Sequence, residues 1–244
     1  MAVISGINPV VESLKAGRPL DRILIAKGAA GPRLQQIIDM ARRASVSVRF
    51  EDRGGLDRLA GTPAHQGVVA LGASQRYAEL DDVAPAARLL VVLDGVEDPH
   101  NLGAIVRTAH AAGAGGIVIP ERRAAGLTDV VAKAAAGALE YLPVARATNI
   151  NRALERLKQL GYWIYGLDER GTDDYSAVHY NPPTALVFGG EGKGLHEQVR
   201  KHCDVLVRIP MEGYIPSLNV SVAAGIVLFE AKRRRAQDEA SPAA

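Results

Sequence analysis

The stretch Leu89–Ile119, LLVVLDGVEDPHNLGAIVRTAHAAGAGGIVI, governs the reading of the whole chain. It opens on an unbroken apolar run, Leu89–Leu93, as expected of a strand buried on both faces. A polar loop, Asp94–Asn101, follows, and Leu102, Ile105, Val106 and Ala109 then share one face of a helix. Ala112–Gly116 stands between that helix and the next apolar run, Gly116–Ile119, and reads as an αβ turn with a glycine C-cap.

The same alternation continues downstream. Strand-like runs recur at Trp163–Leu167, Ala185–Phe188 and Val205–Ile209. Helical patterns lie at Leu102–Ala112, Asp129–Leu139, Arg152–Leu160 and Glu197–His202, and a last helix spans Leu218–Arg235. Strand and helix in alternation predict an α/β unit over residues 88–235, built on a mostly parallel sheet covered on both faces. Upstream, Asn8-Pro9 opens a helix carrying Val10, Val11 and Leu14. Strands are expected at Arg22–Ala26, Val46–Phe50 and Gln66–Leu71, with an amphipathic helix at Arg33–Arg43, giving a smaller α/β domain over residues 1–73. Residues 74–87 are polar and weakly periodic and read as a linker; residues 236–244 read as a disordered tail.

Composition narrows the function classes. The chain has 244 residues, 48% hydrophobic and 23% charged, which excludes wholesale disorder. With 7 Tyr, 3 Phe and 1 Trp, an aromatic-rich sugar or base platform is not expected. Lys+Arg 29 against Asp+Glu 27 leaves +2, so any basic surface must be local. One cysteine, Cys203, excludes an intrachain disulfide and fits a reducing compartment; as a lone thiol it reads as packing before nucleophile. There is no signal-peptide pattern at the start and no apolar run near the roughly 20 residues of a spanning helix, so a cytoplasmic protein without a membrane partner is expected.

Ligands of parallel sheets collect beyond the carboxyl ends of the strands, and three loops there stand out. In the first, Asp94–Asn101, the following helix places Arg107 four residues after Gly103, so the arginine leans back over a position with no side chain; the plain alternative is a solvated surface arginine. The second, Phe188–Leu195, has four glycines around Glu191 and follows a strand; it is neither a Walker A loop nor a dinucleotide fingerprint, and a structural turn is its alternative. The third, Ile209–Asn219, ends with Ser217 and Asn219 at a helix start, where simple N-capping is the alternative. Two metal readings fail: Glu97, Asp98 and His100 lack a second site, and His196, Glu197 and His202 have the wrong spacing for a zinc-protease helix, so no metal is expected.

Together these loops resemble the three motifs of the SpoU/TrmH-type (SPOUT superfamily) RNA ribose 2′-O-methyltransferases: Asn101-x-Gly103-x-x-x-Arg107, then Gly189-x-Glu191-Gly192-x-Gly194, then Ile209-Pro210 with Ser217-Leu218-Asn219. Gly137-Ala138-x-Glu140-x-x-Pro143-Val144 is similar to a recurrent element of that family. Gly6-x-x-x-Val10-x-x-x-Leu14 and His65-Gln66-Gly67 resemble its appended substrate-binding domain. The sequence differs at Tyr214-Ile215-Pro216, where relatives carry less bulky or more polar residues.

The resemblance implies a SPOUT domain with a deep trefoil knot, a small L30e-like RNA-binding domain and a homodimer. It implies S-adenosylmethionine (AdoMet) as cofactor, held by the main chain at Gly189, Ile209 and Leu218, and Asn101, Arg107, Glu191, Ser217 and Asn219 as the catalytic pocket. The implied substrate is a guanosine of 23S rRNA. Alternatives are tRNA or another rRNA site, or a catalytically silent RNA-binding assembly factor. Arg22, Lys27, Arg33, Arg42 and Arg43 are candidate RNA contacts, though the last three also suit the wet face of a helix. A guanidinium has no lone pair with which to accept a proton, so Arg107 is expected to bind a flanking phosphate and stabilise the developing alkoxide, a phosphate oxygen or water taking the proton.

Overall fold

The computed structural model describes residues 2–73, 75–180, 183–192, 194–214 and 217–240. The chain divides into two compact units, one of residues 1–76 with 127–141, the other of residues 77–126 with 142–244. In chain order the first contains β1 (Ala2–Ser5), α1 (Ile7–Lys15), β2 (Leu20–Ala26), α2 (Pro32–Arg43), β3 (Ser47–Glu51), α3 (Arg53–Ala60) and β4 (Val68–Gly72). The chain continues through α4 (Leu80–Val83), β5 (Leu89–Asp94), α5 (Pro99–Ala112), β6 (Gly116–Pro120) and α6 (Asp129–Ala134), of which α6 belongs with the first unit. Then come β7 (Val144–Ala147), α7 (Ile150–Gln159), β8 (Trp163–Leu167), β9 (Asp173–Asp174), β10 (Thr184–Gly189), α8 (Glu197–His202), β11 (Val205–Arg208) and α9 (Val220–Ala240).

The first unit is a four-stranded sheet in the order β1-β4-β2-β3, with β4 antiparallel to both neighbours and β2 parallel to β3. Val10 and Val11 of α1 and Leu34, Ile37 and Ala41 of α2 pack with Ile23, Ile25, Val68 and Ala70; Leu56 of α3 packs with Leu24 and Val69. The first helix starts earlier than Asn8-Pro9 suggests. Gly6, at φ 105°, is its N-cap, and the Ile7 N–H donates to Gln66 Oε1 at 3.0 Å. Pro9 is tolerated because first-turn N–H groups have no intrahelical acceptor to lose. His65 is fully buried: its Nδ1 accepts the Gly67 N–H at 3.1 Å, so Nε2 carries the hydrogen and meets Asp57 Oδ1 at 2.8 Å. His65-Gln66-Gly67 is thus a structural clasp.

The span read as one helix, Asp129–Leu139, is instead α6 followed by a short 3-10 turn, Ala138–Glu140, and both lie in the first unit. Glu140 organises this return. Its Oε1 receives Ser13 Oγ at 2.8 Å, Arg18 Nη1 at 2.8 Å and Gln75 Nε2 at 3.2 Å. Gly137, at φ 97°, lets the chain pass α1, since a Cβ there would lie 2.6 Å from that of Glu12. A buried pair such as Arg18–Glu140 typically costs about 3–5 kcal/mol to break by deleting one partner.

The second unit holds a seven-stranded sheet, order β7-β6-β5-β10-β8-β11-β9, with every pairing parallel. One face is sealed by Leu154 and Leu157 of α7 and Val199 of α8 against Leu90, Val92, Val118, Ile164 and Val187. The supposed linker is part of this core: Val83, Ala84 and Ala87 are buried, Ala78 pairs in parallel with Ala145, and α4 lies within it. Its alanines pack without showing a long apolar period. The tail also differs, because α9 continues to Ala240; residues 241–244 lie outside the described residues. Gly113, at φ 83°, caps α5 as expected. Among the described residues no helix is long and apolar enough to cross a membrane.

Candidate active site

In the second unit β5 lies between β6 and β10, and the chain leaves these strands toward opposite sides of the sheet, which opens a crevice at their carboxyl ends. Asp94 ends β5 directly opposite Gly189, which ends β10. Asp94 is buried and binds across the crevice: its Oδ2 accepts the His196 N–H at 2.8 Å, its Oδ1 lies 3.0 Å from His196 Nδ1, and its carbonyl accepts the Gly190 N–H at 2.9 Å. Sequence reasoning missed this residue, although an acid closing an apolar strand is a visible signal.

The glycines of the second loop serve different ends. A Cβ on Gly189 would lie 2.0 Å from Gly194 C, and one on Gly190 2.1 Å from Gly95 O, so backbone packs on backbone. Gly192 and Gly194 have φ of 77° and 62° and nothing within 4 Å of a would-be Cβ. Gly190 and Gly194 bridge, closing the loop on itself. The result is a tight turn with open space beside its outer glycines, which fits close approach of a nucleoside to main-chain amides.

Three of the predicted side chains meet. Asp98 caps α5, accepting the His100 N–H at 2.8 Å, and so sets Asn101 in the first turn, where it is buried. Asn101 Nδ2 donates to Glu191 Oε1 at 2.5 Å, and Asn101 Oδ1 accepts from Asn219 Nδ2 at 3.0 Å. Asn219 Oδ1 in turn accepts from Ser221 N at 2.8 Å and Ser221 Oγ at 2.6 Å, so Asn219 is both an N-cap of α9 and a member of the site. One carboxamide, used at both ends, joins residues 90 and 118 positions away. The set offers one carboxylate and neutral amides, which suits holding a hydroxyl.

The other predicted residues stand apart from this chain of bonds. Arg107 is exposed on α5 and makes no hydrogen bond or ion pair among the described residues. Ile209 is half-buried after β11, and Ser217, Leu218 and Tyr214 are exposed; Ile215, Pro216 and Lys193 lie outside the described residues. In the first unit Lys27, Arg33, Arg42 and Arg43 are exposed and Arg22 is half-buried. Lys27 pairs with Asp52 at 3.1 Å, Arg33 Nη1 donates to Asn8 Oδ1 at 3.0 Å, and Arg43 Nε to Asp39 O at 3.3 Å. No group of three or more His, Cys, Asp or Glu able to hold a metal occurs among the described residues.

Cys203 donates to Val199 O at 3.4 Å, and burial pushes its thiol up to about 12. A thiol so placed is a poor nucleophile near neutrality. We expect native protein at pH 8 to react with a thiol-specific disulfide reagent at least about 100-fold more slowly than unfolded chain, whose thiol titrates near 8.5. Equal rates, followed by absorbance, would show an accessible thiolate.

Comparison with known proteins gives the family. The SpoU rRNA Methylase family matches residues 88–229, and the family described as RNA 2′-O ribose methyltransferase substrate binding matches residues 3–78. YacO of Bacillus subtilis (strain 168), a protein named for the TrmH family of tRNA/rRNA methyltransferases, is 46% identical over 238 residues, covering 95% of each chain. An AdoMet-bound rRNA methyltransferase from Sinorhizobium meliloti superimposes with a TM-score of 0.81 at 30% identity, covering 95% of this chain and 87% of that one. The SpoU methyltransferase AviRb of Streptomyces viridochromogenes, in complex with AdoMet, gives 0.81 at 25% identity, covering 96% and 90%.

Proposed function

The chain belongs to the SpoU rRNA methylase family, and from that premise we propose that it transfers the methyl group of AdoMet to the ribose 2′-hydroxyl of a guanosine in 23S rRNA. The observation that carries this reading is the hydrogen-bonded series Glu191–Asn101–Asn219, which draws one residue from each of three distant motifs to the ends of β5 and β10.

When bound, AdoMet supplies an electrophilic methyl on a sulfonium sulfur. Gly189, Ile209 and Leu218 would hold it through main-chain groups, a reading that the open space beside Gly192 and Gly194 supports. A ribose hydroxyl is a poor nucleophile, so the protein's task is to align it and assist its proton loss. Glu191, held by Asn101, completes the pocket around that hydroxyl, and Ser217 and Asn219 add neutral hydrogen bonds. Arg107 would grip the flanking phosphate and stabilise the negative charge that develops on the 2′-oxygen. The hydroxyl proton leaves to a phosphate oxygen or water.

The second unit carries a deep trefoil knot in this reading. The protein acts as a homodimer, consistent with half-exposed Val222 and Phe229, one heptad apart on α9. The smaller domain, L30e-like, grips structured RNA through Arg22, Lys27, Arg33, Arg42 and Arg43.

The test is to incubate the protein with radiolabelled AdoMet and total RNA lacking its native modification, and to map the label. Label on one guanosine ribose of 23S rRNA is expected. Label confined to tRNA, which the naming of YacO also admits, would move the substrate. AdoMet binding by calorimetry without label in any RNA would make the chain a silent RNA-binding factor.

A further inference from the structure

Above the carboxyl ends of β5 and β6 the second unit has a cavity of about 270 Å³ that the chemistry above does not use. Its walls include Asp94, Arg122 and Arg123 in the loop after β6, Asn149 and Asn151 at the start of α7, and His196. Arg122 and Arg123 are exposed, and neither makes a hydrogen bond or ion pair among the described residues. Asn151 Oδ1 is buried and has no hydrogen-bond partner among them. An orphan acceptor of this kind costs about 1–3 kcal/mol unless something fills its need. In the neutral His196 ring Nδ1 donates to the Asp94 carboxylate, so Nε2 keeps a lone pair.

The charges here favour an anion. Two guanidiniums and the amino end of the ten-residue α7 face a single carboxylate, Asp94, which is already bound twice by His196. The acceptors ask for N–H donors. A nucleotide supplies both, a phosphate and a base edge, and the volume lies just under the range usual for drug-sized ligands, which suits a single nucleotide unit. The place is continuous with the site already described. Asp94 forms part of the cavity and receives the Gly190 N–H with its carbonyl, while the Ala125 N–H donates to Val96 O at 2.9 Å and fixes the arginine loop to the loop that leads to Asn101.

We propose that this cavity holds a nucleotide of the RNA strand neighbouring the methylated one, with Arg122 and Arg123 on its outer phosphate and Asn151 Oδ1 and His196 Nε2 accepting from its base. The assignment rests on the reading of the chain as an RNA ribose methylase.

The test uses the full chain and an RNA fragment carrying the mapped target. The double variant Arg122→Ala/Arg123→Ala is expected to bind this RNA about 10- to 100-fold more weakly, with the slope of log affinity against log salt reduced by about 1, for the one phosphate released. Its AdoMet affinity, measured by calorimetry, stays that of wild type. Removing the base of the neighbouring nucleotide should weaken binding to wild type more than binding to Asn151→Leu, which keeps only the His196 contact to that base; an equal loss in both removes Asn151 from the site. Methyl transfer by wild type, together with unaltered RNA affinity and salt slope in a folded double variant, overturns the cavity assignment alone. Failure of wild type to methylate any RNA overturns the functional reading and the assignment with it.

Discussion

Arg107→Lys is expected to slow single-turnover methyl transfer by about 10²–10³-fold at saturating RNA, the usual cost of losing one donor to a developing oxyanion. The side chain makes no hydrogen bond or ion pair among the described residues and is exposed, so neither packing nor a salt bridge is lost and the melting temperature should not move. What changes is shape. Lysine keeps the positive charge but replaces a planar fork of donors by a hydrated point charge, which cannot hold a phosphate oxygen and the reacting oxygen at fixed angles together. If Arg107 acted only through long-range attraction for RNA, lysine would restore most of the rate, and the loss would vanish once RNA was saturating. A near-wild-type single-turnover rate for the lysine variant would therefore remove Arg107 from the chemistry.

That prediction comes from a position on a helix face, the kind of information a sequence carries well. Leu89–Ile119 declares its strand, helix and strand because β5 is apolar throughout and α5 repeats its apolar residues at helical spacing. β1, β7 and β9, of two to four residues each, are too short to show a period. The stretch 127–141 was legible as helical but not as part of the first unit, since its attachment runs through Glu140 to Ser13 and Arg18, contacts more than 120 residues apart. The supposed linker hid its role because alanines and one valine fill narrow space: a Cβ on Gly116 would lie 2.3 Å from Val83 Cγ1. At the site, the family resemblance implied Asn101, Glu191 and Asn219. Their joining by one amide could not be read, because it depends on β10 lying beside β5, a pairing between strands some 95 residues apart in the chain.

The two kinds of glycine in the second loop separate scaffold from cradle, and a pair of substitutions should show it. Gly190→Ala places a methyl group 2.1 Å from the carbonyl oxygen of Gly95, a backbone atom that no rotamer change can move aside. Either the loop or the end of β5 must retreat, which strains the Gly190 N–H to Asp94 O bond and draws Glu191 away from Asn101. Overpacking of this kind costs about 1–3 kcal/mol, or roughly 2–12 °C in melting temperature for a chain of this size, and AdoMet binding should fall by at least about 100-fold. Gly192→Ala meets open space; its cost is the left-handed φ of 77°, about 1–2 kcal/mol, confined to an exposed turn. Its melting temperature should fall by only a few degrees, yet the added methyl stands where the nucleoside is proposed to approach, so AdoMet affinity should drop far more than stability. Thermal melts and calorimetry on both variants decide the matter. If Gly192→Ala binds AdoMet as tightly as wild type while Gly190→Ala does not, the loop is a structural turn and the cofactor lies elsewhere in the crevice.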